Sequence, residues 1–280
     1  MPIDNARTDR LLRKMPAVLR QVRKDPTPNA VHLIRTTARR IEALIREACP
    51  DDEAAQRLAK PLRKLRKRAG QVRDLDVQLG TLRHLHLGRN VLHRRRMQDA
   101  LEELRTRHAE KLVRSIDAKA LAKLRRRIAA AAPALRRSDV IFDPLCLALD
   151  RFASLARAPG GINRETLHDF RTGAKRIRYI AEMAGTGEEA ERVVHCLKRI
   201  QDAAGQWHDL TLVLETAERV LRHPEGSALV AALRNLDNAQ FAQARKICLE
   251  ARRDLLALAA QRKAQPMSTA AAAAGQTSVA

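Results

Sequence analysis

Aromatic rings are almost missing from this 280-residue chain: Phe, Trp and Tyr together make up 2 %. Proteins that hold single-stranded nucleic acid do so largely by stacking bases on such rings. A basic chain nearly devoid of them points to phosphate rather than to bases. Cysteine is also scarce. The four residues Cys49, Cys146, Cys196 and Cys248 lie far apart and show no metal-ligand spacing, so they read as buried free thiols of a reducing compartment. No uncharged stretch is apolar enough to span a bilayer, and the N-terminus shows no secretory pattern. Phosphate-loop, nucleophile-elbow, zinc-protease and dinucleotide fingerprints are all absent.

Positive charge is abundant: 54 Lys and Arg stand against 32 Asp and Glu, a formal net charge of +22. With 45 % hydrophobic residues the chain can still build a core. Apolar residues recur three and four positions apart almost throughout, and Gly and Pro number only 11 each. This periodicity predicts an all-α protein. Helices are expected at 7–23, 29–48, 53–86, 91–115, 118–131, 140–157, 164–184, 188–203, 206–222 and 227–260. The breaks include Pro133 and a point near Gly205. The residues from 263 to 280 read as a disordered tail.

An internal repeat organises the chain. Val31-His32-x-x-Arg35-x-x-x-Arg39-Arg40-Ile41 returns 136 residues later as Leu167-His168-x-x-Arg171-x-x-x-Lys175-Arg176-Ile177. Leu62-Arg63-Lys64-Leu65, followed by Gly70-Gln71-x-x-Asp74-Leu75, returns 135 residues later as Leu197-Lys198-Arg199-Ile200 and Gly205-Gln206-x-x-Asp209-Leu210. Two similar helical bundles, about 1–135 and 138–262, account for both.

On a helical wheel His32, Arg35, Arg39 and Arg46 fall within about 60° of one another, opposite Ile34, Ala38, Ile41 and Ile45. Arg40 flanks that stripe. In the second half Arg164, His168, Arg171, Lys175 and Arg178 gather with Tyr179, and Arg176 lies beside them. Like charges four residues apart weaken a helix by tenths of a kcal/mol per pair, so the repetition of such a ladder argues for a polyanion. Arg63, Lys64 and Lys67 extend the charge on the second motif, as do Lys198 and Arg199. Asp74 and Asp209 are read as supporting acids that hold the arginines in place. Gly70 and Gly205 suit close helix approach or a kink.

The duplicated His-x-x-Arg-x-x-x-[Arg/Lys]-Arg helix, each copy followed by Gly-x-x-x-Asp-Leu, resembles the CHAD (conserved histidine α-helical domain) family over about residues 5–260. The resemblance implies two four-helix bundles related by a pseudo-two-fold around a basic cavity, in a stand-alone member without the CYTH hydrolase domain. It also implies non-catalytic binding of inorganic polyphosphate, without cofactor or metal, and a cytoplasmic location on polyphosphate granules. Two positions depart from the repeat: Lys175 stands where the first half has Arg39, and His208 where it has Arg73. Two competing readings are a nucleic-acid-binding protein, with nucleic acid otherwise a weaker non-specific ligand, and an enzyme on a phosphate-rich substrate with a metal at Asp74 and Asp76.

Overall fold

The computed structural model describes residues 5–85, 91–136, 143–221 and 227–264. Every regular element among them is helical: α1 (Asn5–Lys24), α2 (Pro28–Ala48), α3 (Glu53–His84), α4 (Val91–Arg114), α5 (Ala118–Leu135), α6 (Pro144–Ala156), α7 (Leu167–Ala181) with a 3-10 turn (Glu182–Ala184), α8 (Glu188–Val220) and α9 (Ala228–Ala264). The protein is all-α, as its periodicity predicts. No helix among the described residues is long and apolar enough to cross a membrane.

Local chemistry sets the helix starts. Thr27, Asp52, Asp117 and Asp143 accept hydrogen bonds from backbone N–H groups of the first turns of α2, α3, α5 and α6. Pro28 and Pro144 occupy first positions, where the missing N–H costs nothing. The entry to α7 works differently. Asn163 Oδ1 accepts from the N–H groups of Glu165 and Thr166, while Thr166 Oγ1 donates to the Gly161 carbonyl at 2.7 Å. Gly160 and Gly161 supply the positive φ angles that this loop needs.

Four expectations change. The break near Gly205 does not exist, because α8 runs unbroken and Gly205 has no positive φ. Pro133 does not end α5 either; it sits in the last turn, where only one helical bond is lost. Cys146 is exposed and Cys49 half-buried, so only Cys196 and Cys248 are buried thiols. Of the expected tail, Lys263 and Ala264 belong to α9, and Lys263 Nζ lies 3.1 Å from Asp150. Residues 265–280 lie outside the described residues.

The repeat offset maps α2 onto α7 and α3 onto α8. It maps α4 and α5 together onto the single α9. The first half breaks this element at Ser115–Asp117, where Ser115 donates to the Leu112 carbonyl and Asp117 caps α5. The matching stretch Ala251-Arg252-Arg253 offers no capping side chain and stays helical.

Burial is organised in three cores. One joins α1, α2, α5 and the near parts of α3 and α4. A second joins α6, α7 and the near parts of α8 and α9. The third is shared: Leu75, Leu79 and Leu82 of α3 and Met97 and Leu101 of α4 meet Leu210 and Val213 of α8 and Leu229, Val230 and Leu233 of α9. Two bundles alone therefore do not describe the chain, since their α3–α4 and α8–α9 ends interlock in a four-helix core of their own. Inside it Thr216 donates to Gln78 at 2.8 Å, a buried bond across the halves. Tyr179 and Met183 of the second half also enter the first core. These contacts hold α2 against α7 and α3 against α8.

Candidate functional site

Where those two helix pairs meet, a cleft of about 370 Å³ opens. From α2 it receives His32, Arg35 and Arg39; from α3, Arg73 and Asp74; from α7, Arg171 and Lys175; from α8, Gln201, Asp202, Gly205, Gln206 and Asp209. The two ladders thus face one space. No Phe, Tyr or Trp lines it. Among the described residues Phe152 packs on Phe170 in the interior, and the buried Trp207 on the partly buried Phe241, both in T-shaped pairs.

Each half holds its inner arginine over a glycine. Arg35 Nη1 donates to Asp74 at 2.6 Å and to the Gly70 carbonyl at 3.4 Å. A Cβ at Gly70 would stand 3.7 Å from Arg35 Cζ, and one at Gly205 would stand 3.7 Å from Arg171 Nε. The glycines leave room for a guanidinium to lie close to the neighbouring helix, which chooses between the two roles expected for them. The halves differ in neutralisation. Arg171 has no ion-pair partner among the described residues, and its Nε is buried without a hydrogen bond. Asp209, the counterpart of Asp74, has its pKa raised by burial against the pull of Arg171 and Arg73.

The cleft is electrostatically strained in the free protein. Burial, then the nearby Arg39, Arg171, Arg35 and Arg178 cations, push the Lys175 ammonium down to about 7. Burial followed by Arg73, Lys175, Arg35 and Arg40 lowers His32. Burial also lowers Arg39 and Arg171, with Arg35 adding to both. Burial comes first in every case; at Lys175, His32 and Arg39 positive neighbours add to it, whereas at Arg171 Asp209 and Asp74 oppose it. An anion carrying many oxygen acceptors would favour the charged form of each.

Several sequence-predicted site residues lie elsewhere. Arg40 donates to Glu182 at 2.8 Å, Arg178 also bonds Glu182, and Arg7 approaches it at 3.3 Å, so this buried carboxylate ties α1, α2 and α7 together. Tyr179 is buried beside them, with Arg178 over its ring at 4.8 Å. Arg46 pairs with Glu47. Arg199 holds Asp254 at 3.1 Å and Glu250 at 3.4 Å on α9, a strut rather than a cleft group. Lys198 reaches Asp202 at 3.9 Å. Arg63, Lys64, Lys67 and Arg176 are exposed on helix surfaces. His168 packs on His208, ring centroids 4.5 Å apart, at the side of the cleft. Arg164 leaves the ladder for Asp237, at 2.6 Å.

Sequence reasoning missed Arg73, Gln201 and Asp202 as lining residues. A signal existed for Arg73, because it stands between Gln71 and Asp74 of the repeated Gly-Gln-x-x-Asp-Leu segment, opposite His208 in the other copy. The carboxylates of the enzyme reading diverge. Asp74 faces Arg35, whereas Asp76 is buried with Arg105 at 2.9 Å, and Arg105 also donates to the Pro26 carbonyl. A larger groove of about 630 Å³ lies between α6, α7 and α9, but two of its arginines, Arg245 and Arg252, are spent on the carbonyls of Ile162 and Ala156.

The family model of the CHAD domain matches residues 6–218. The chain belongs to the CHAD family. This family is linked in general to polyphosphate binding. The CHAD fold is also found by structural comparison. The crystal structure of the CHAD domain from the plant Ricinus communis superposes with a TM-score of 0.64 at 16 % identity, over 87 % of this chain and 88 % of that one. Among curated proteins, none matches significantly.

Proposed function

We propose that this CHAD protein binds inorganic polyphosphate without hydrolysing it, in the cleft between α2 and α7. The observation that carries the reading is the convergence of Arg35 and Arg39 with Arg171 and Lys175 on one cleft that no aromatic ring lines. A linear polyphosphate offers a charge at every phosphate and no bases, so it needs fixed cations and no stacking platform. Arginine supplies planar forks for phosphate oxygens, and lysine a mobile point charge. Binding releases counterions and is steeply salt-dependent. In the cell the same contacts would place the protein on polyphosphate granules.

The test is a binding isotherm with polyphosphate at fixed ionic strength, repeated with RNA as competitor. Polyphosphate is expected to displace RNA far more readily than RNA displaces polyphosphate; the reverse order supports a nucleic-acid-binding protein. Incubation with polyphosphate and Mg²⁺ followed by chain-length analysis is expected to leave the chains intact. Shortened chains would make the protein an enzyme.

A further inference from the structure

Beyond the cleft, the two halves part company. On α3, Arg63 and Lys67 stand at about 20° and 60° from Gly70, on the face that also carries Asp74. On α2, Arg46 continues the stripe of Arg35 and Arg39, about 16 Å beyond Arg35 at 1.5 Å per residue. The two helices run antiparallel, as the pairs Arg35–Asp74 and Arg66–Glu42 require. The C-terminal half of α2 therefore lies beside the N-terminal half of α3, and the basic stripe leaves the cleft along their seam. Arg63 and Lys67 are exposed and have no ion-pair partner among the described residues. At the far end Arg46 shares Glu47 with Arg151 of α6, the latter at 3.6 Å, so two cations face one carboxylate.

The repeat offset shows what the other half has in the same places. Lys67 becomes Asp202, Arg46 becomes Glu182, and Arg63 becomes Lys198. Lys198 is compensated by Asp202 at 3.9 Å, and Glu182 is buried among arginines that it neutralises. The α7–α8 seam thus lacks the exposed, uncompensated cations of the α2–α3 seam.

We propose that the polyanion track is one-sided: from the cleft it runs outward over the α2–α3 seam, past Lys67 and Arg63 to Arg46, and does not continue over the α7–α8 seam. The inference rests on polyphosphate occupying the cleft. It makes the protein selective for long chains, because a short chain fills the cleft and never reaches the seam.

The experiment compares tripolyphosphate with long-chain polyphosphate on the full chain and on three variants with exposed changes, their melting temperatures serving as the folding control. Arg63→Ala/Lys67→Ala should lose roughly tenfold in long-chain affinity and flatten the log–log salt dependence by about 1 to 2, for two phosphate contacts removed. Its tripolyphosphate affinity should change by less than about twofold. Arg63→Ala alone should lose part of that long-chain affinity, whereas Lys198→Ala, at the equivalent position, should leave both ligands within about twofold, since its charge is already compensated. Equal losses for tripolyphosphate and long chains in the Arg63/Lys67 variant would overturn the track, because the residues would then act only through the overall field. Equal losses from Arg63→Ala and Lys198→Ala would overturn its one-sidedness. Either result leaves cleft binding standing. A wild-type protein that binds neither probe removes the cleft reading and the track with it.

Discussion

The two halves place their backbones alike and their charges differently. Arg39 faces Lys175, Arg73 is matched by His208, Lys67 by Asp202 and Arg46 by Glu182. Of these four exchanges, all but the first remove a formal positive charge from the second half. Two of them also make its charge adjustable: Lys175 is pushed down to about 7 and His208 to about 4, in both cases chiefly by burial and then by neighbouring cations. In the cleft the first half contributes the guanidinium groups of Arg35, Arg39 and Arg73 against that of Arg171 alone from the second, whose Lys175 can shed a proton while the cleft is empty. A cleft with two full arginine ladders would repel itself strongly. The difference shows how a duplicated helix pair keeps a polyanion site while limiting the electrostatic cost of the free state.

The largest effect expected from breaking this comparison is at Glu182. Its side chain is 8 % exposed and answers Arg7, Arg40 and Arg178. Glu182→Ala should lower stability by about 3–5 kcal/mol, as removal of one partner from a buried ion cluster does. Its counterpart change Arg46→Ala should cost less, because Arg46 is itself exposed and Arg151 still faces the buried Glu47 at 3.6 Å. Denaturant unfolding of both measures the contrast; equal costs would mean that the Glu182 cluster carries no structural load.

Second in size is a change across the cleft. Arg39→Ala/Arg171→Ala should weaken polyphosphate binding by at least roughly 100-fold, from two charge-assisted contacts of about 1.5–3 kcal/mol each. The same variant should melt no lower than wild type, because burial disfavours both charges in the free protein. Binding isotherms and thermal melts run side by side would show the two properties moving apart. If both fall together, these arginines hold the fold rather than the ligand.

The third effect is a pH dependence. A bound polyanion favours the Lys175 ammonium, so binding takes up a proton wherever the free group is neutral. Affinity should therefore fall as pH rises above about 7, by up to about tenfold per pH unit, and flatten below. Below its ordinary 6.5 the lowered His32 should add a smaller gain as pH falls further. Lys175→Arg should abolish the slope above pH 7. The free protein should show the opposite sign in stability. The folded value of Lys175 lies below the unfolded one, so the unfolded chain binds more protons between about 7 and 10.5, and stability rises with pH over that window. Denaturant unfolding at several pH values checks it, with Lys175→Met losing the trend.

What could be read in the sequence was whatever one helix decides for itself. The ladders His32, Arg35, Arg39 and Arg171, Lys175 follow from 3.6-residue periodicity and from their repetition. What lay beyond reach depended on the helix opposite. Arg40 and Arg178 share the composition of the ladder, yet Glu182 captures both, and its reach into the first half is a tertiary fact. Arg199 resembles Lys198 until α9 brings Glu250 and Asp254 beside it. Gly205 read as a break because glycine weakens a helix by about 1 kcal/mol. The requirement it meets, a guanidinium resting on its surface, belongs to α7. The shared core of Leu75, Leu79, Leu210 and Val213 was hidden because its apolar positions look the same whichever helices cover them.

The smallest expected effect concerns those glycines. Gly70→Ala and Gly205→Ala each bring a methyl to 3.7 Å from a guanidinium, an ordinary contact. Each should leave stability within about 1 kcal/mol, the helix-propensity gain included. Each should weaken polyphosphate binding only a few-fold, and the two should do so alike if the halves use their inner arginines in the same way.

The most direct test of the account is a crystal structure of the protein with tripolyphosphate. Phosphate groups are expected between α2 and α7, with oxygens in hydrogen-bond reach of Arg35 or Arg39 on one side and of Arg171 or Lys175 on the other. Phosphates held only on exposed helix faces, with the cleft unoccupied under conditions where the isotherm shows saturation, would contradict it.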